Sequence, residues 1–188
     1  MNPRADTRIG AVPVSERGKH YHGWESTPRK DRHRGRSTAS HLLSMSVTAT
    51  IHIQHERLAL VPTLRGLSDV DIQVITQGTT APGATNFPFL IDYHDRAELE
   101  SHLDEDPTVD EYELVDWTDD TGIYYIAHTA ETVLISNVVT DVNGFLVHTE
   151  TKGNGWLARL LLPDRKALST IWEYATEHDI SLEIIEIY

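Results

Sequence analysis

Residues 46–54, Ser-Val-Thr-Ala-Thr-Ile-His-Ile-Gln, are rich in β-branched side chains that partly alternate with polar ones, which predicts a strand. Leu58, Val61 and Leu64 share a helical face over 57–66, with Pro62 limiting its regularity. Alternation of Val70, Ile72 and Val74 predicts a strand over Asp69–Gln77, the Gly/Thr/Ala/Pro-rich stretch 78–86 a loop, and Phe87–Tyr93 a third strand. Asp95 with Glu98 three residues on reads as a helix N-terminus, and Leu99 and Leu103 as that helix's buried stripe. Asp106-Pro107 ends it. Val109–Trp117 is extended, with Tyr112, Leu114 and Asp116 assigned to one face and Val115 and Trp117 to the other.

The second half repeats this order. Asp119–Gly122 is a turn, Ile123–His128 a strand, and Ala130–Val139 a short helix, although its β-branched residues would also suit a strand. Phe145–Glu150 and Trp156–Leu162 flank a hairpin connection at Lys152–Gly155. Asp164 caps a helix with a stripe of Leu168, Ile171, Trp172 and Ala175, and Ile180–Tyr188 is the last strand. Both halves carry a strand running into Asp-Arg-x-x-Leu, at Asp95–Leu99 and Asp164–Leu168. The expected fold is therefore α+β, two tandem ferredoxin-like βαββαβ units with antiparallel sheets, at 45–118 and 119–188. Neighbouring apolar pairs, Leu160 with Leu161 and Ile184 with Ile185, predict that the second face of the sheet is also covered, by the other half, a second subunit or another domain.

Charge separates the first 44 residues from the rest. They hold nine Lys or Arg against four Asp or Glu, whereas residues 45–188 hold seven against twenty-five, for a net charge of -13 over all 188 residues. With little apolar patterning, 1–44 is expected to be a disordered basic extension. Arg29–Arg36 would suit a nucleic acid or an acidic partner, but Met45, just before the first strand, is favoured as the true start. The acidic remainder repels DNA phosphates and suits solubility at high salt. There is no cysteine, no apolar run long enough to span a bilayer, and no apolar block typical of a secretory signal. A cytoplasmic protein without membrane attachment is expected.

Little of the chain resembles catalytic machinery. No nucleophile elbow, phosphate loop, zinc-protease helix or dinucleotide fingerprint is present, and a hairpin turn accounts for Gly153-Asn154-Gly155. Four of the eleven histidines (His20, His22, His33 and His41) lie in the basic extension without further ligands. His52 and His55, three apart in a strand, point to opposite faces. His148 and Glu150 share a face and could join His128, the basis of a rival reading as a small metal-dependent enzyme. Pairs such as Glu98 with Glu100, or Asp116 with Asp119, are expected on a solvated acidic surface. Trp156 and Trp172 are assigned to the core.

Met45-Ser-Val-Thr-Ala, Asp106-Pro107-Thr108-Val109, the run Leu162-Pro-Asp-Arg-Lys-Ala-Leu-Ser169 and the closing Ile180–Tyr188 carry a family likeness. Over 45–188 the chain resembles the N-terminal domain of bacterio-opsin activator-like transcription regulators of halophilic archaea. The resemblance implies a module that senses or dimerises, joined in the family to a C-terminal helix-turn-helix that contacts DNA. This sequence stops at Tyr188 without that motif, so direct sequence-specific DNA binding is not expected.

The sequence is thus read as a non-enzymatic regulatory domain that binds a small-molecule effector, with no cofactor and no metal. It is expected to form homo-oligomers or hetero-oligomers with full-length regulators. The ligand is placed where the two units meet, at Gln54, Arg57, Thr129 and Glu131.

Overall fold

The computed structural model describes residues 45–75 and 85–188. The basic extension and most of the 78–86 loop lie outside the described residues. In chain order the elements are β1 (Val47–Gln54), α1 (Val61–Gly66), β2 (Asp71–Val74), β3 (Asn86–Asp92), α2 (Arg96–Glu105), β4 (Val109–Thr118), β5 (Thr121–His128), α3 (Ile135–Asp141), β6 (Phe145–Lys152), β7 (Gly155–Leu162), α4 (Arg165–Glu177) and β8 (Ser181–Ile187). Both anticipated caps form, Asp95 accepting from the Glu98 N–H at 3.0 Å and Asp164 from the Ala167 N–H at 2.9 Å. Helix α1 begins at Val61 rather than near 57, because a proline at position 62 is tolerated only in a first turn.

The order β-α-β-β-α-β occurs twice, but two tandem ferredoxin-like units do not form. The eight strands make one antiparallel sheet in the order β4-β5-β3-β2-β6-β7-β1-β8. The cause lies at the junction of the halves. Only Asp119 and Asp120 separate β4 from β5, both with positive φ, 50° and 67°, as a tight hairpin turn requires. This turn lays β5 against β4, so β5 occupies the place between β4 and β3 that β1 would fill if the first half closed on itself. Strand β1 sits instead between β7 and β8. Each half therefore holds the first strand of the other.

One core unites the sheet and the helices. Ala49, Ile51, Phe89, Ile91, Tyr124, Ile126, Ala158 and Leu160 point inward from the strands to meet Leu64, Leu99, Leu103, Val139, Leu168 and Ile171. Intervening residues such as Thr50, His52, Glu113, Tyr125, Glu150 and Arg159 are exposed or half-buried, so no element among the described residues covers the second face. Of the apolar neighbours that suggested a cover, Ile185 has a local cause. Ile185, Val147 and Val115 each fall where the register shifts, at β-bulges that leave an extra, unpaired residue. The bulge at Val115 also reverses the predicted faces of β4: Tyr112, Leu114 and Trp117 pack on the core, while Asp116 points away with the outer row. Leu161 is simply exposed on the outer face. Trp156 is buried as expected, but Trp172 is 46% exposed, since Ala167, Leu168, Ile171 and Ala175 already complete the inner stripe of α4.

No helix among the described residues is long and apolar enough to cross a membrane.

Candidate functional site

The two half-sheets meet at a narrow seam. Strands β2 and β6 are paired through a single register position, Gln73 opposite Glu150. Side chains supplement this short ladder. The Thr151 hydroxyl accepts the Ile72 N–H at 3.0 Å, and Gln73 Nε2 lies 3.2 Å from His148 Nδ1.

A cavity of about 60 Å³ lies beneath the seam. Its walls come from both sides: Val74, Phe87 and Phe89 from the β2–β3 region, Leu146, Thr149 and Trp156 from β6 and β7, Leu58 and Ala59 before α1, and His128 with Val133–Ser136 from β5 and α3. The lining is almost wholly apolar. Two of its lining residues, His128 and Thr149, carry the buried side-chain polar atoms without a hydrogen-bond partner among the described residues, Nε2 and Oγ1, neither of which presents surface to the cavity. His128 is only 4% exposed and Thr149 only 6%. Buried polar groups of this sort are uncommon in folded proteins, because each forfeits its hydration without compensation.

The protonation of His128 follows from its other nitrogen. Nδ1 is 2.9 Å from the carbonyl oxygen of Thr108, which can only accept, so Nδ1 carries the proton and Nε2 of the neutral ring is an acceptor. Burial pushes the imidazole below its ordinary pKa, against the opposing effects of the Thr108 bond and of Asp106. The ring is fixed edge-on to Phe89, with centroids 5.6 Å apart.

A polar scaffold holds this end of the core. The Thr108 hydroxyl accepts the Leu60 N–H at 2.9 Å and donates to Asp106 Oδ1 at 2.6 Å. The Thr108 carbonyl also accepts from the Thr129 N–H and the Thr132 hydroxyl. These bonds, with Val133 N–H donating to the Arg57 carbonyl at 2.8 Å, hold residues 129–134 out of helical form, so α3 starts at Ile135 rather than Ala130.

Arg57 thus meets Val133, two residues beyond Glu131, and none of the four residues expected to bind ligand lines the cavity. Gln54, Arg57 and Glu131 are exposed, and the half-buried Thr129 donates to the Pro107 carbonyl at 3.0 Å. The lining begins just beyond them, at Leu58 and Val133. Thr149 and Ser136 carried no signal in the sequence, because a threonine in an alternating strand or a serine at a helix start ordinarily faces water or caps a backbone.

The His128, His148 and Glu150 cluster does not assemble. His128 points into the core, whereas His148 pairs with the outer residue Arg159 in the strand register and its Nε2 lies 3.1 Å from Glu150 Oε2 on the opposite face. No group of three or more metal-ligating side chains exists among the described residues. His55 lies beyond the end of β1, where its Nδ1 accepts the Arg57 N–H, so the expected opposition of two strand histidines does not arise.

No protein-family model, no curated protein and no solved structure matches the chain.

Proposed function

We propose that the chain is the regulatory module of a transcription regulator of the bacterio-opsin activator-like kind, sensing a small molecule and acting as a homo-oligomer or together with full-length regulators. The transcriptional part rests on the sequence resemblance. The sensory part is carried by one observation: an apolar cavity lies where the half-sheets meet. A molecule seated there touches residues from both halves at the point where backbone pairing is sparsest, and so favours one arrangement of the halves over others. No contact with DNA is assigned to the sheet, whose carboxylates repel phosphates.

Hydrogen exchange tests this reading. Filling the cavity is expected to slow exchange of the amides of β2 and β6 while leaving the β4–β5 hairpin unchanged. Unaltered seam amides with an occupied cavity would overturn the sensory role. Light scattering on mixtures with a full-length regulator is expected to give a mixed oligomer, and independent species would remove that partnership.

A further inference from the structure

The outer face of the sheet has the make-up of an interface. Strand register carries one line of side chains across all eight strands. Asp116 on β4 stands beside Ile123, Leu90 and Gln73 in turn, and Gln73 beside Glu150 at the seam. From Glu150 the line continues through Leu157 and His52 to Glu183 on β8. A neighbouring line runs from Glu113 through Tyr125 to Pro88, and beyond the seam from His148 through Arg159 and Thr50 to Glu186. Carboxylates therefore stand at both edges with mostly apolar or neutral residues between them, an apolar centre inside a polar rim.

Charge differs between the halves. Strands β2 to β5 hold no Lys or Arg, whereas Asp71, Asp92, Glu113 and Asp116 stand on their outer side. The only Lys and Arg of the described strands, Lys152 on β6 and Arg159 on β7, share that outer face, and neither joins an ion pair among the described residues. We infer that a second copy of the chain docks here, face to face about a two-fold axis along the β2–β6 seam; this rests on the homo-oligomeric part of the reading above. That axis lays the first half-sheet of each copy over the second half-sheet of the other. It brings Lys152 and Arg159 to the acidic half of the other copy, and Leu90 over Leu157. A two-fold axis across the strands would instead stack acidic half on acidic half. A face eight strands wide and about six residues deep covers on the order of 800 Å², about what each partner commits to a stable interface. Twist parts the two sheets toward β4 and β8, so the edge carboxylates stay hydrated.

The test is sedimentation of the full 188-residue protein and its variants over a range of concentrations. A dimer is expected. Tyr125, 46% exposed, and the exposed Arg159 can be changed without disturbing the core, and Tyr125→Glu and Arg159→Glu are each expected to weaken the dimer about tenfold or more. Lys166→Glu, on the exposed side of α4, is expected to leave it unchanged. Because the chain has no cysteine, Gln73→Cys supplies a single thiol beside the axis, and a short bis-maleimide is expected to join two such copies but not two copies of Lys166→Cys. A dimer that neither face substitution weakens, or that cross-links through Lys166→Cys instead, would overturn this interface and leave the homo-oligomer standing. A monomer at every concentration would overturn both.

Discussion

The Asp106 carboxylate holds Thr63 twice, through the backbone N–H at 3.0 Å and the hydroxyl at 2.6 Å, both on Oδ2. Its other oxygen accepts the Thr108 N–H and hydroxyl at 2.8 and 2.6 Å, so one buried side chain ties α1 to the segment that positions His128. Asp106→Ala strands these donors in the core. A loss of about 3 kcal/mol or more is expected, measured as a lower urea midpoint.

Thr149→Val should have the opposite sign. The threonine hydroxyl is buried without a partner, and valine has nearly the same shape with no polar atom to desolvate. A gain of about 1 kcal/mol in unfolding free energy is expected without ligand, from denaturant titration at unchanged slope.

His128 makes the protein sensitive to acid. Its folded-state pKa lies below the unfolded value, so the unfolded chain binds more protons, and stability falls as pH drops through the ordinary histidine range near about 6.5. The contribution is fully present above that range and is lost below it. An asparagine amide in place of the ring can still donate to the Thr108 carbonyl but does not titrate, so His128→Asn is expected to flatten this part of the stability profile. An unchanged profile between about pH 7 and 5 would assign it to other groups.

At the β4–β5 turn, Asp120 adopts φ 67°, where glycine is unstrained and an Asp-Gly pair is the favoured sequence. Asp120→Gly is therefore expected to stabilise the hairpin by about 0.5–1 kcal/mol, seen as a higher melting temperature.

Local rules served the sequence reading well. A carboxylate three residues before an amide, as at Asp95 and Asp164, acts within one turn, and the alternation in β1 leaves Val47, Ala49, Ile51 and Ile53 inside. The β-bulges were invisible because an extra residue such as Val115 inverts the face of everything after it without altering the letters. The exchange of β1 and β5 was hidden for a different reason: strand order depends on which partner the Asp119-Asp120 turn permits, a relation between distant segments. The cavity is lined from Leu58 and Val133, next to but not including the residues 54–57 and 129–131 that the sequence suggested. The unpartnered Nε2 of His128 became visible only when Thr108 accounted for one side of the ring and nothing accounted for the other.

The place of β1 bears on how the molecule is made. Among the described strands it is the first to leave the ribosome, yet both its neighbours, β7 and β8, are the last of them to be synthesised. Throughout translation its two edges stay open, and closing the sheet demands a contact spanning nearly the whole described chain, a slow step exposed to aggregation. Neither half could be cut away as an autonomous piece, since each would leave behind a gap shaped for the other's leading strand.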